Sequence, residues 1–136
     1  PGYRLIKLCR ESDIQVSPIP GACATIAALS VAGFPSNQFL FLGFLPIKRG
    51  PQQKLLASVQ DFRGTVIIYE SPYRIQKLLQ FLKEFLEPHR LIFVAREITK
   101  INETFYRGSL EDLNPSTCPA KGEYVILIEP SEKTRG

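Results

Sequence analysis

Residues 64–87 read GTVIIYESPYRIQKLLQFLKEFLE, and this stretch decides the fold class. Its first part, residues 65–69, is a continuous apolar run after a glycine, which is typical of a strand buried on both faces. The second part, residues 72–87, repeats apolar side chains at helical spacing, with Ser71 as the expected cap and Pro72 at the first helical position. A buried strand followed directly by an amphipathic helix predicts an α/β domain.

The rest of the chain continues this alternation. Further helices are predicted over residues 3–11, 22–32, 51–62 and 109–113. Further strands are predicted over residues 14–17, 39–45, 91–95, 104–107 and 124–128. An alternating order that ends in consecutive strands predicts a mixed, mostly five-stranded sheet with helices on both faces. A polar, frayed tail is predicted from residue 130 onward.

Composition and charge narrow the function classes. The chain has 136 residues, of which 44% are hydrophobic, and this suits one globular domain. The longest apolar run has about six residues, whereas a membrane-spanning helix needs about 20. The net charge of +4 arises entirely in residues 1–68, which carry seven basic and three acidic side chains, since residues 69–136 carry ten of each. This basic bias permits a polyanionic partner.

Cysteine and histidine usage argues against disulfides and metal binding. The three cysteines, Cys9, Cys23 and Cys118, are an odd number at wide spacings, which fits neither a disulfide framework nor a zinc site. His89 is the only histidine and follows Pro88 in a predicted loop at a helix end. We therefore expect reduced thiols in a cytosolic protein, with no metal cofactor.

Function in α/β sheets gathers on loops at the carboxyl ends of strands, which directs attention to four junctions. In the first, residues 18–25, a turn of small residues enters a helix whose free N–H groups suit a carboxylate or phosphate. A tight packing turn is the simpler explanation. In the second, residues 43–50, Lys48 and Arg49 are candidates for phosphate contacts, and a solvated loop is the alternative.

The other two junctions combine carboxylates with basic side chains. In the third, residues 69–74, Glu70 ends an apolar strand and needs a partner, for which Arg74 is near enough in sequence. The fourth, residues 95–103, is dense in polar groups, among them Arg96, Glu97 and Lys100. A structural ion pair and a surface ion-pair network are the respective alternatives. Two such sets at strand ends of one small chain favour a functional site.

Six motifs together resemble one family in order and spacing. They are PIPGACA (18–24), ALSVAGFP (28–35), GFLPIK (43–48), YESPYR (69–74), AREITK (95–100) and KGEY (121–124). The family is that of the bacterial 16S ribosomal RNA ribose 2′-O-methyltransferases I, within the tetrapyrrole methylase-like (class III) methyltransferases, and the resemblance covers residues 1 to about 128. Its members have two α/β domains with S-adenosylmethionine between them. The resemblance implies that residues 1–129 are the carboxyl-terminal domain, that the amino-terminal domain is absent, and that residues 130–136 are a polar tail.

The resemblance also implies roles for individual residues. Those placed against the cofactor are Cys23, Ala24, Tyr69, Ala95, Arg96 and Gly122. The candidates for the base that removes the ribose proton are Glu70, Glu97 and Lys100, which the sequence does not rank. Those placed on the RNA substrate are Lys48, Arg49 and Arg74. The chain departs from the family at Ala22 and Cys23, where Pro-Ser is usual, at Tyr73, where histidine is usual, and at Asn102, where histidine or a similar residue is common.

The function implied is S-adenosylmethionine-dependent 2′-O-methylation of a cytidine ribose in the decoding region of 16S rRNA, by a cytoplasmic homodimer. We expect this chain to supply half of the cleft and to be inactive alone. Two alternatives stay open. One is a methyltransferase of the same fold acting on a tetrapyrrole of the precorrin type, and the other is a non-enzymatic basic module for RNA binding or dimerisation.

Overall fold

The computed structural model describes residues 2–131 and contains a five-stranded sheet with helices on both faces, which confirms the predicted fold class. The α-helices are α1 (Gly2–Glu11), α2 (Ala24–Ala32), α3 (Arg49–Val59) and α4 (Ile75–Phe85). The strands are β1 (Phe39–Phe44), β2 (Thr65–Glu70), β3 (Leu91–Arg96), β4 (Thr104–Ser109) and β5 (Tyr124–Ile128), and a 3₁₀ turn spans Pro115–Thr117. In the described residues no helix is long and apolar enough to cross a membrane.

The sheet is mixed, with the strand order β1-β2-β5-β3-β4. β1 and β2 pair in parallel, and β5 lies between β2 and β3 antiparallel to both. β1, β2 and β3 therefore run in one direction and end at the same edge of the sheet, where β4 and β5 begin. We call this the carboxyl edge.

Alternating side chains of the strands build two cores. On one face, Ile67, Phe93 and Leu127 pack under α2, which is rich in alanine and therefore lies close to the sheet. On the other face, Ile68, Val94 and Ile126 pack under α3 and α4, where the periodic apolar residues of α4 are buried. α2 ends at Gly33 in the left-handed conformation (φ 69°), as its sequence predicts.

Two predicted elements are wrong. Residues 14–17 form no strand, because no neighbouring strand of the described chain pairs with them, and Ile14 is largely exposed. Residues 109–113 form a turn instead of a helix, since the Ser109 hydroxyl and the Asp112 carboxylate and N–H bond one another locally. The short helical segment follows at Pro115–Thr117, where Asn114 accepts a hydrogen bond from the Ser116 N–H.

The predicted bounds of α3, of α4 and of the tail also differ from the structure. α3 spans Arg49–Val59, whereas the sequence predicts a helix over residues 51–62. α4 begins at Ile75, because residues 71–74 form a turn in which Ser71 accepts a hydrogen bond from the Tyr73 N–H, so Ser71 does not cap the helix. The predicted frayed tail is wrong for Pro130 and Ser131, which are buried, while residues 132–136 lie outside the described part of the chain. The boundary predicted between a domain ending at residue 129 and a tail stays a prediction.

Candidate functional site at the carboxyl edge

Three of the four predicted junctions meet at the carboxyl edge, because they follow β1, β2 and β3. The first junction, residues 18–25, joins them, since Cys23 at the start of α2 lines a cavity of about 250 Å³ together with Ile98, Lys100 and Glu123. The small side chains of residues 22–24 leave this cavity open on the side of α2. We call it the α2 cavity.

Cys23 and Ala24 lie at the amino end of α2 and line the α2 cavity, while their predicted cofactor contacts stay a prediction. Cys23 is exposed and makes no side-chain hydrogen bond that caps the helix. The backbone N–H of Ile26 lies near enough to its sulfur to lower the pKa of the thiol. The first N–H groups of α2 have no intrahelical partner, so this end of the cavity favours an anionic group.

A three-residue charge cluster lies at the far side of the α2 cavity, where two of its members, Lys100 and Glu123, line the cavity. Glu97 Oε1 accepts hydrogen bonds from the Glu123 N–H (2.8 Å) and from Lys100 Nζ (3.1 Å). Lys100 Nζ also donates to Glu123 Oε2 at 2.7 Å. The Glu123 N–H and then Lys100 lower the pKa of Glu97, while Glu123 and then Glu97 raise the pKa of Lys100. At neutral pH, Glu97 is therefore a carboxylate and Lys100 an ammonium group, which cannot accept a proton.

The loop that carries this cluster has an unusual backbone. Glu97 and Thr99 both have positive φ angles, 52° and 63°, in a region that a β-branched residue such as threonine rarely adopts. The Thr99 N–H donates to Glu103 Oε2 at 2.6 Å, which holds the loop in this shape. Strained conformations held in place by surrounding contacts are typical of functional sites.

Gly122 is fixed against this cluster. Its φ is 92°, and a Cβ at this position would lie 2.7 Å from Glu97 Cγ. Only glycine lets the backbone before β5 approach the Glu97 side chain so closely. The structure thus gives Gly122 a contact with a predicted catalytic residue, while its predicted cofactor contact stays a prediction.

The end of β2 carries a buried ion pair. Glu70 Oε1 accepts hydrogen bonds from the Arg74 Nε at 2.7 Å and from the Ser71 N–H at 2.6 Å, and the Glu70 side chain is only 1% exposed. Arg74 also donates to the Leu45 carbonyl at 3.3 Å, which ties this turn to the end of β1. The predicted Glu70–Arg74 pairing is confirmed.

The predicted cofactor residues do not all share one face of the sheet. Tyr69 and the fully buried Ala95 lie on the α2 face, where the Tyr69 hydroxyl is 2.8 Å from that of Thr25. Arg96 lies on the opposite face, with its Nε donating to the Lys121 carbonyl at 2.8 Å, and it lines a separate cavity with Tyr106. The structure therefore does not bring Arg96 to Cys23 and Ala24.

The predicted substrate residues lie on the α3–α4 side of the carboxyl edge. Lys48 is exposed and precedes α3. Arg49 starts α3, pairs with Glu84 at 2.9 Å and stacks its guanidinium 5.3 Å from the centre of the Phe81 ring. Arg74 is partly engaged with Glu70, so these three cations do not form one continuous patch with Lys100.

A family model described as Tetrapyrrole (Corrin/Porphyrin) Methylases matches residues 1–114, which include most of the carboxyl edge. The chain belongs to this family. It is 42% identical over 130 residues to a protein of Synechocystis named ribosomal RNA small subunit methyltransferase I, with 94% of this chain and 47% of that protein covered. A protein of the same name from Haemophilus influenzae is 38% identical over 140 residues, with 98% and 49% covered. The resemblance inferred from the six motifs is confirmed.

Solved structures of tetrapyrrole methylases share the fold. The methyltransferase CobJ superposes with a TM-score of 0.67 at 22% identity, covering 95% of this chain and 57% of that one. A uroporphyrin-III C-methyl transferase from Thermus thermophilus, complexed with S-adenyl homocysteine, gives 0.58 at 12% identity, with 94% and 58% covered. The chain spans about half the length of the curated relatives it matches.

The sequence did not predict two residues that take part in contacts at the carboxyl edge. Glu123 completes the charge cluster with Glu97 and Lys100, and Thr25 bonds Tyr69. The KGEY motif pointed to the neighbourhood of Glu123. Its contact with Glu97 depends on the pairing of Arg96 with Tyr124 across β3 and β5, which the sequence alone does not specify.

Proposed function

We propose that this chain is part of an S-adenosylmethionine-dependent methyltransferase that acts on RNA of the small ribosomal subunit, at the ribose 2′-hydroxyl of a cytidine. The observation that carries the proposal is the 42% identity, over 94% of this chain, with a relative named ribosomal RNA small subunit methyltransferase I. The α2 cavity at the carboxyl edge supports it, because ligands of open α/β sheets bind outside the carboxyl ends of the strands.

The α2 cavity fits part of S-adenosylmethionine. The unpaired N–H groups at the start of α2 suit its carboxylate, and the small side chains of Cys23 and Ala24 allow close approach. At about 250 Å³, the cavity is smaller than the range of about 300–1,000 Å³ usual for such ligands, so a second wall is needed. The bound S-adenyl homocysteine in the Thermus thermophilus structure supports a cofactor of this type.

When bound, S-adenosylmethionine supplies an electrophilic methyl group, so the tasks left to the protein are to align the ribose hydroxyl and to accept its proton. Of the three candidates, Lys100 is protonated and Glu70 is buried against Arg74. Glu97 is ionised and is bonded to Lys100 and Glu123, which line the cavity, and this favours it as the acceptor that orients the hydroxyl. We assign Lys100 and Glu123 to holding Glu97 in place.

RNA would approach from the α3–α4 side. Lys48 and Arg49 are exposed there, and Arg74 keeps about a quarter of its side chain accessible (27%) beside the end of β2. Cations of this kind contact phosphates without reading sequence, so they would position the strand while the cavity selects the nucleotide. A nucleotide in a single-stranded region suits such an edge, because a paired ribose is hard to bring into a cleft.

We further propose a second domain of the same protein and a second copy of the chain as partners, with the enzyme in the cytoplasm. Exposed apolar side chains support partners of this kind. They are Tyr3, Leu5 and Leu8 on α1, and Phe39, Phe41 and Phe44 on the edge strand β1. The three cysteines are all free thiols, consistent with a reducing compartment.

The deciding experiment measures transfer of a labelled methyl group from S-adenosylmethionine to 30S subunits by the longer protein that carries this chain. We expect Glu97→Gln to lower kcat by about 10²-fold, the usual size of a lost acid–base contact. Glu111→Gln is the matched control, since this exposed carboxylate follows β4 at the opposite edge of the sheet.

A precorrin substrate, assayed in parallel, separates the tetrapyrrole alternative. Methylation of the precorrin with no methylation of 30S subunits would overturn the proposal. Wild-type activity of Glu97→Gln on 30S subunits would leave the reaction standing and remove Glu97 from it. Absence of S-adenosylmethionine binding by the longer protein, measured by calorimetry, would favour the non-enzymatic module.

A further inference from the structure

A groove runs between α3 and α4, away from the α2 cavity and on the other face of the sheet. It consists of two adjoining depressions, one of about 210 Å³ and one of about 520 Å³. Both are lined by Gln52 and Lys77, so the two depressions lie side by side. The smaller depression opens at the carboxyl edge beside Tyr73, and the larger one continues past Arg49 to the 3₁₀ turn. We call the two depressions together the α3–α4 groove.

Each depression contains a planar group that is open to solvent. Tyr73 is 82% exposed at the end near β2, where no packing requirement explains an aromatic side chain. In the larger depression, the Arg49 guanidinium lies over the Phe81 ring and is held at its edge by Glu84, while 71% of the side chain stays exposed. Phe81 and Glu84 thus orient a planar cation whose outer face is free to stack.

The space between these two planar groups is polar and carries a net positive charge. Its carboxylates are already engaged, since Glu70 pairs with Arg74 and Glu84 pairs with Arg49. Lys77 lines both depressions and makes no hydrogen bond or ion pair with residues 2–131. The amide of Gln52, half-buried beside it, offers both a donor and an acceptor.

We propose that the α3–α4 groove binds single-stranded RNA next to the nucleotide that is methylated. Bases stack on Tyr73 and on Arg49, and Lys77 meets a phosphate between them. Two stacking surfaces and an amide suit nucleotides better than an acidic peptide, because an acidic peptide has no planar bases to stack on Tyr73 and Arg49. This inference rests on the proposed RNA methylation for its substrate, but the binding itself can be tested without any methyl transfer.

The test measures the affinity of this chain for a fluorescent single-stranded RNA decamer by anisotropy, over a range of KCl concentrations. We expect Tyr73→Ala and Arg49→Lys each to weaken binding about tenfold, because stacking is lost while the charge of residue 49 is kept. Tyr73→Phe keeps the ring and should bind like the wild type. Lys77→Ala should reduce the salt slope by about 0.7, whereas Lys54→Ala, on α3 but outside the groove, should change it little.

Two results would contradict the proposal that the groove binds RNA. One is an unchanged RNA affinity in both Tyr73→Ala and Arg49→Lys, and the other is binding of a glutamate-rich peptide as tight as that of RNA. Methylation of 30S subunits by the longer protein then separates the two proposals. A raised KM with unchanged kcat in Tyr73→Ala supports the groove as part of the enzyme. If RNA binding is weaker in the groove variants but the longer protein does not methylate 30S subunits, the result supports the groove and contradicts the proposed function.

Discussion

The ends of β2 and β3 carry the same kinds of side chain in different settings. Glu70 and Arg74 at the end of β2 form an ion pair with the carboxylate 1% exposed. Glu97 and Lys100 after β3 form a cluster in which the side chains are 17% and 47% exposed and the backbone is strained. The pair at the end of β2 serves the fold, because removing Arg74 leaves the Glu70 carboxylate buried without its partner. An exposed cluster on a strained loop contributes little to stability, which leaves it available for function.

The largest effect is expected at the buried pair. Arg74→Met leaves the Glu70 carboxylate buried without its partner and should lower the free energy of unfolding by about 3–5 kcal/mol, measured by urea denaturation. The matched control is Lys77→Met on the exposed side of α4, with an expected change within about 0.5 kcal/mol.

The double variant Glu70→Gln/Arg74→Met tests the cause. It should be more stable than Arg74→Met alone, because the buried charge has been removed along with its partner. Equal stability of the two variants would mean that packing of Arg74 against the end of β1 dominates, and the comparison between the two strand ends would lose its basis.

A smaller effect on the free energy of unfolding is expected at Gly122, where the backbone lies close to the Glu97 side chain. Gly122→Ala places a Cβ 2.7 Å from Glu97 Cγ at a φ of 92°, and should destabilise the protein by about 1–3 kcal/mol in the same measurement. Gly21→Ala is the control, since a Cβ there meets nothing within 4 Å.

A double-mutant cycle with Glu97→Ala separates contact from conformation. If the clash with the Glu97 side chain matters, the Gly122→Ala cost should fall when residue 97 is alanine. An unchanged cost would assign the whole effect to the positive φ angle of residue 122, and would weaken the case that Gly122 is there to admit Glu97.

The sequence predicts one of these strand ends far better than the other. The Glu70–Arg74 pair lies within one turn of chain, so spacing alone identifies it. The partner of Glu97 is the N–H of Glu123, 26 positions away, and only the register of β3 against β5 brings them together. The sheet face on which Arg96 lies follows from strand alternation, because neighbouring residues of a strand point to opposite faces and Ala95 belongs to the α2 side.

The dependence on distant partners also explains why the strand predicted at residues 14–17 is wrong. Its pattern of side chains is that of a strand, but a strand also needs a neighbour, and the described chain offers none. α1 likewise has the spacing of an amphipathic helix while Leu5 and Leu8 stay exposed. Local patterns therefore predict which residues belong to an element, whereas pairing and packing depend on what lies beside it.

The smallest effect expected is the pH dependence of the exposed cluster, and its sign follows from the two pKa shifts. The pKa of Glu97 is lowered from its ordinary 4.5, so its contribution to stability is present above that pH and is lost as pH falls through the lower value in the folded protein. The pKa of Lys100 is raised from 10.5, so its contribution is present below pH 10.5 and is lost as pH rises through the higher folded value. Urea unfolding across this range should show a Glu97→Gln variant that has lost part of the acid-side dependence and a Lys100→Gln variant that has lost part of the alkaline side. If both variants kept the wild-type pH dependence of the free energy of unfolding, Glu97 and Lys100 would not be coupled as their distance requires. The contrast drawn between the two strand ends would then be wrong.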